Sequence, residues 1–218
     1  MGQVLETDGG TKARILAAAS DVFTQKGFRK ATIRDICSRA GANPAAVNYH
    51  FGDKRSLYTQ VLRGWIENLN RSHPYRTPEV ELQPAEARLR FFINAMLRRI
   101  FCGALEDREM WIRRTRIVLM ELAEPSSGAT LRVEQWCEEE RYFRAVVAEL
   151  LGDAPERVVH FTADSIVGQC IQYFLGIAHI PEEVVALAEE DNLAQLADHI
   201  IAFSLGGIRA IKELNQCR

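Results

Sequence analysis

The chain has 218 residues, 47% of them hydrophobic, with 7 Pro, 14 Gly and a formal net charge of −2. That length supplies one or two domains with a real core, and so few helix breakers exclude a disordered or collagen-like chain. The near-neutral charge, taken as an average, argues against a nucleic-acid partner.

Positions 11–25 read as an amphipathic helix, with Ile15, Ala18, Ala19, Val22 and Phe23 at helical spacing. Gly27 follows, where a left-handed C-terminal cap is least strained as glycine. Thr32 opens a second, short helix as one half of a capping box whose other half is Asp35, and Ile33, Ile36, Cys37 and Ala40 form its inner face. Gly41-Ala42-Asn43 makes a tight break. Asn43 then caps a third helix with Pro44 at its first position, where the missing N–H is harmless. Val47 and Phe51 point inward from this helix and leave Pro44, Ala45, Asn48 and Tyr49 outside. A long helix follows over about 54–73, and Pro74, Pro78 and Pro84 mark a linker. Beyond it the pattern stays helical near 85–104, 108–123, 128–151, 156–178 and 191–215, with no alternating β-branched run to form a sheet.

The first ten residues lack the apolar stretch of a secretory signal. The uncharged stretch 165–181 holds Gln169, Gln172 and His179 and is too short for a bilayer, so no membrane association is expected. Five cysteines (Cys37, Cys102, Cys137, Cys170, Cys217) are scattered without a CxxC, and no His pair has metal-ligand spacing. A reduced, cytoplasmic protein with mostly inert thiols and no metal site or cofactor is the expectation. Acyl-transfer, phosphate-loop and dinucleotide motifs are absent, so no catalytic residue is assigned and an enzyme is not expected.

Two short helices joined by a Gly-containing turn form a helix-turn-helix unit. The second exposes small and polar side chains, as a helix entering a groove about 12 Å wide requires. The charge is also divided along the chain. Residues 1–63 carry ten Lys and Arg against five Asp and Glu, whereas the remainder carries seventeen against twenty-four. A basic head on an acidic body is the asymmetry expected when only one part meets phosphate.

The run Ala31-Thr32-Ile33-Arg34-Asp35-Ile36, then Ala40-Gly41, then 47–58 from Val47 through Tyr49-His50-Phe51 to Lys54 and Tyr58, resembles the DNA-binding domain of the TetR family of transcriptional regulators. The resemblance implies an all-α fold: a tail over 1–10, a three-helix DNA-binding domain over 11–57, and a helical effector-binding and dimerisation domain over 58–218, with 54–73 as the linker helix. It implies that Thr32 holds a backbone phosphate, that Arg34 contacts phosphate or a guanine edge, and that Ala45, Ala46 and Asn48 approach bases. Tyr49, His50 and Lys54 would hold phosphates, with Asn43 and Pro44 at the start of the recognition helix. Pro44 and Asn48 depart from the commonest family pattern, which has Lys or another polar residue and Tyr there. Glu121-Leu122-Ala123-Glu124-Pro125 and Ser165-Ile166-Val167-Gly168-Gln169-Cys170 look similar to the CecR-like branch.

The C-terminal helices offer two expectations. Ile166, Cys170, Ile171 and Phe174, with Leu196, Ile200, Phe203, Ser204, Ile208 and Ile211, form stripes suited to a four-helix dimer interface. A homodimer would read a pseudo-palindromic operator on double-stranded DNA as two half-sites about 34 Å apart or a multiple. Trp65, Phe92, Met96, Trp111, Trp136, Tyr173 and Phe174 are the bulky candidates for a small-molecule effector pocket. The reading is a repressor released from its operator by that effector. The alternative is a redox- or metal-responsive regulator of the same fold using Cys102, Cys137 or Cys170 with a histidine.

Overall fold

The computed structural model describes residues 8–123, 134–176 and 181–216, with the side chains of 8–9, 120–123, 134–137, 181–182 and 216 set aside. The expected tail through residue 7, the break at 125–128, the helix start near 128 and Cys217 lie outside the described residues, as do the side chains of Glu121, Trp136 and Cys137. Among the described residues are eleven helices and no strand: α1 (Asp8–Lys30), α2 (Ile33–Ala40), α3 (Pro44–Phe51), α4 (Lys54–Ser72), α5 (Pro78–Glu81), α6 (Ala85–Phe101), α7 (Arg108–Ala123), α8 (Glu134–Leu151), α9 (Glu156–Gly176), α10 (Pro181–Ala186) and α11 (Glu190–Gln216). They form two compact units, one of residues 1–68 with 116–131 and one of 69–115 with 132–218. Their division after Asn68, inside α4, follows from burial: Leu57, Tyr58, Val61 and Leu62 of that helix sink into the first unit's core.

The first unit is assembled by local signals. The α1 stripe Ile15, Ala19 and Phe23 is fully buried, and Phe23 meets Tyr58 edge-on at 4.8 Å. Gly27, at φ 71°, breaks α1 before a last turn that runs to Lys30. The Thr32 hydroxyl accepts from the Asp35 amide at 3.1 Å while the Asp35 carboxylate accepts from the Thr32 amide at 3.0 Å, closing the capping box. Gly41 takes the left-handed conformation, φ 59°, that ends α2 and turns the chain into α3. Asn43 Oδ1 accepts from the Ala46 amide at 2.8 Å, and Asp53 caps α4 by accepting from the Ser56 amide at 2.7 Å. Lys26 ion-pairs with Asp35 at 2.8 Å and so ties α1 to the start of α2.

This last contact carries a pH signature. The Lys26 ammonium, then the Thr32 hydroxyl and amide, hold the Asp35 carboxyl at about 2, below its ordinary 3.8. A depressed carboxylate stabilises the fold above the unfolded value, and that contribution fades as pH falls through the folded one. Lys26→Met removes the largest cause. Urea unfolding between pH 4 and pH 2 is expected to show a shallower fall of stability in the variant; identical slopes would remove Lys26 from the account.

In the second unit Leu89, Ile93 and Leu97 of α6 are fully buried against Phe143, Val146 and Val147 of α8, Ala163 and Cys170 of α9, and Ile200 and Ile201 of α11. Two short helices occupy segments that sequence reading treats as linker or break. In α5, Thr77 accepts from the Val80 amide at 3.3 Å, and Pro78 sits at the first helical position. Pro181 likewise opens α10. A proline at a helix start is pre-organised for it, so the residues taken as stops act as starts.

The burial pattern revises the expected dimer stripe. Ile166, Cys170, Leu196, Ile200, Ser204 and Ile208 are buried within the chain, and Ile171, Phe174 and Ile211 are half-buried against the same core. A side chain already covered has no surface left for a partner. Phe203 alone of the expected set is open, at 66%. The exposed faces of the two helices are different stripes: Phe161, Ser165, Gly168, Gln172 and Leu175 on α9, and Ala202, Phe203, Gly206, Ala210 and Leu214 on α11. No helix among the described residues is long and apolar enough to cross a membrane.

Candidate nucleic-acid interface and effector cavity

In the first unit, Val47 and Phe51 anchor α3 in the core. Pro44, Ala45, Asn48 and Tyr49 are exposed, Tyr49 at 78%, and its ring meets that of His50 edge-on at 5.0 Å. Eight residues make this helix about 12 Å long, and its outer surface is small and polar except for the Tyr49 ring. Arg34 is exposed on α2, and Asn43 is exposed at the α3 start with its carbonyl committed to the cap.

Three expected contacts are placed differently from the simple reading. The Thr32 hydroxyl is engaged with Asp35, to which it donates at 2.8 Å, and the first-turn amides of Ile33 and Arg34 are the donors that this helix start leaves outside the helix ladder. Ala46 is half-buried and packs on the core beside Val47, leaving Ala45 as the outward alanine. The Lys54 ammonium donates to the Arg29 carbonyl at 3.5 Å and lies 4.6 Å from the Phe28 ring centroid, which fixes it at the α4 start beside the end of α1.

The second unit contains two adjoining cavities. The smaller, about 80 Å³, is lined mainly by Tyr75, Phe92, Met96, Phe143, Ala163 and Val167, with Glu139, Glu140, Arg144 and Asp164 at its polar edge. The larger, about 190 Å³, is lined by Asn70, Pro74, Tyr75, Arg76, Arg99, Glu138, Glu139 and Tyr142. Tyr75 and Glu139 belong to both walls. Tyr75, Phe92 and Phe143 form a stack, with ring centroids 4.6 Å and 4.0 Å apart. The Arg99 guanidinium lies 3.4 Å from the Tyr75 ring centroid, donates through Nε to the His73 carbonyl at 2.6 Å, and pairs with Glu139 at 3.5 Å. Burial pushes the Tyr75 hydroxyl up to about 12 and raises the Glu139 carboxyl against the pull of Arg99.

Of the bulky residues expected around an effector, Phe92 and Met96 line this space. Trp65 belongs to the first unit, where its indole donates to the Ser20 hydroxyl at 3.0 Å. Trp111 is core, its indole bonded to the Ile100 carbonyl at 2.9 Å. Tyr173 and Phe174 are half-buried against the core without lining either cavity, and Trp136 lies outside the described side chains. Sequence reasoning missed Asn70, Tyr75, Arg99, Glu139, Tyr142 and Phe143. The available signal was an aromatic immediately after Pro74 at the end of a long helix.

Three thiols, Cys37, Cys102 and Cys170, fall among the described side chains. Burial raises Cys37 and lifts Cys170 to about 12, and the exposed Cys102 is raised as well, with Glu106 adding to the effect. A raised thiol carries less of the thiolate that reacts and ligates metal. Among the described residues no group of three or more His, Cys, Asp or Glu is arranged to hold a metal ion.

The model of bacterial regulatory proteins of the tetR family matches residues 15–61, and that of the C-terminal domain of the HTH-type transcriptional dual regulator CecR matches 85–208, more than half of the chain. The chain belongs to the TetR family of transcriptional regulators. This TetR-family chain is 33% identical over 60 residues to the HTH-type transcriptional repressor KstR2 of Rhodococcus jostii, covering 28% of this chain and 29% of that one. It is 36% identical over 58 residues to the HTH-type transcriptional activator FasR of Mycolicibacterium smegmatis, covering 27% and 26%. The chain thus matches under a third of the length of these curated relatives. Its fold is shared with a transcriptional regulator from Rhodococcus sp. RHA1 (TM-score 0.60, 24% identity, 90% and 96% covered) and a TetR-family regulator from Mesorhizobium loti (0.59, 20%, 94% and 98%). As TetR-family members are DNA-binding regulators and not enzymes, the α2–α3 surface is the part of this chain to consider against DNA.

Proposed function

We propose that this TetR-family regulator is a homodimeric repressor, released from a pseudo-palindromic operator when a small molecule enters the second unit. The observation that carries the DNA-reading part is the α3 surface. A capped, two-anchor helix presents Pro44, Ala45, Asn48 and Tyr49 outward, with Arg34 and Asn43 exposed alongside at its approach. In this reading Tyr49, His50, Lys54 and the α2 amides hold phosphates, while Ala45, Asn48 and Arg34 read base edges. Each phosphate contact releases condensed counterions, so fluorescence anisotropy on a labelled operator duplex is expected to show log affinity falling steeply and linearly with log salt concentration. A flat salt response would overturn the reading.

The dimer rests on the exposed α9 and α11 stripes. Gly168, Ala202, Gly206 and Ala210 permit close approach of helices, and Phe161, Phe203 and Leu214, each over 60% exposed, have apolar area to cover. Phe203→Glu places a charge on that area in both copies. Sedimentation is expected to move from dimer to monomer mass with an unchanged far-UV spectrum, and an intact dimer would exclude this face. The effector part rests on α4, a single helix that begins beside the α1 end at Lys54 and contributes Asn70 to the cavity wall. A ligand that prefers one setting of this helix shifts the population by its differential affinity.

A further inference from the structure

From the walls of the 190 Å³ cavity we infer that the effector is a small uncharged compound with one aromatic ring and a hydrogen-bond donor, of the phenol or hydroxybenzyl class. The inference rests on the effector reading above and specifies the ligand.

Size sets the first limit. A dry engineered cavity of about 150 Å³ accepts benzene, so 190 Å³ admits one ring with a small substituent. The lining sets the second. The Tyr142 ring and Pro74 offer flat apolar surface, with Arg76 over one side of that ring at 5.6 Å. The two faces of Tyr75 are taken by Arg99 and by Phe92, so Tyr142 is the tyrosine with a face left for a ligand ring.

Charge sets the third limit. The Arg99 side chain is only 11% exposed and its partner Glu139 25%, and they neutralise one another. At the mouth, Arg76 lies 3.8 Å from Glu138 and 3.5 Å from Glu81. An anion entering here would compete with Glu139 for Arg99, and a cation would meet two guanidinium groups. Either would lose its hydration without gaining a spare counter-charge.

Two lining residues set the fourth. Asn70 Oδ1 and Tyr142 Oη are buried and have no hydrogen-bond partner among the described residues. Their residues line the larger cavity from different elements, α4 and α8. A buried carbonyl oxygen calls for a donor, and a phenol hydroxyl can accept or donate. A ligand hydroxyl that donates to Asn70 and accepts from Tyr142 satisfies both, and an ether or hydrocarbon does not.

Calorimetric titration of the full-length protein with three compounds tests this. 4-Hydroxybenzyl alcohol is expected to bind, while 1,4-dimethoxybenzene, which lacks a donor, and the anion 4-hydroxybenzoate bind at least tenfold more weakly. Asn70→Leu and Tyr142→Phe are each expected to weaken 4-hydroxybenzyl alcohol at least tenfold and to narrow its advantage over dimethoxybenzene, with folding checked by circular dichroism. Tyr142→Phe removes one oxygen and keeps the ring, so it remains informative if Asn70→Leu does not fold. No binding of 4-hydroxybenzyl alcohol, preference for the anion, or indifference to both substitutions would overturn the assignment. Release from an operator duplex, measured in parallel, separates the two levels. Binding without release upholds the ligand class and overturns the effector reading; release driven by the anion upholds the effector reading and overturns the class.

Discussion

Replacing Arg34 and Tyr49 together by alanine is expected to weaken duplex binding at least about a hundredfold without unfolding the protein. Each good base or phosphate contact contributes about 1–3 kcal/mol, and two contacts repeated in two half-sites exceed a hundredfold on the low estimate. Both side chains are exposed, Tyr49 at 78%, and neither belongs to the first unit's core. Surface substitutions of this kind change stability by about 0.5 kcal/mol or less. Anisotropy titration paired with thermal unfolding checks both halves. Retained affinity would exclude the α2–α3 surface as the reading face. Lost affinity accompanied by a collapsed melting transition would mean that the two side chains support the fold.

The largest stability effect is expected at Phe143. It is 2% exposed on α8 and closes the stack with Phe92 and Tyr75, at a ring separation of 4.0 Å from Phe92. Truncation to alanine removes the buried ring and leaves a hole between helices that relax only in part. Such changes cost about 3–5 kcal/mol, a large share of the 5–15 kcal/mol typical of a whole domain. Urea unfolding is expected to show the transition of the second unit moved to much lower denaturant. A shift of less than about 1 kcal/mol would mean that the stack is not part of the packed core. Phe143 also lines the smaller cavity, so the variant enlarges that space while weakening its frame.

The contrast between the two units explains what the amino-acid order makes legible. The capping box at Thr32 and Asp35, the turn at Gly41 and the start of α3 at Asn43-Pro44 are each decided within about four residues. Their partners are neighbours in sequence, and all three are found in the structure. The basic head was legible once the charge was divided at residue 63. What periodicity does not reveal is which of two apolar stripes faces inward. Helix α11 carries apolar residues on more than one face, with Ile200, Ile201 and Leu205 inside and Phe203 and Leu214 outside, so spacing alone does not separate buried Ile200 and Ile208 from an exposed stripe.

The cavity was least legible because nothing local builds it. Asn70 comes from the end of α4, Tyr75 from the segment after it, Arg99 from α6, and Glu139 and Tyr142 from α8. Each reads alone as an ordinary helix or linker residue. Two of the expected tryptophans have structural partners of their own. Trp65 and Trp111 are bulky and apolar, but each satisfies its indole N–H inside its own unit, at Ser20 and at Ile100, and is occupied as structure. Lys54 and Thr32 show the same limit in the first unit. Their positions were predictable, whereas their present bonds, to the Arg29 carbonyl and to Asp35, depend on how α1, α2 and α4 pack.

If two copies of this chain read DNA through α3, duplexes selected from a random library by the purified protein and then sequenced are expected to be enriched in an inverted repeat. Its half-sites are spaced by one helical turn or a multiple, and the enrichment is lost when Arg34 and Tyr49 are alanine. No enrichment, or an unrepeated sequence that survives those substitutions, would mean that α3 is not the reading helix of a dimer.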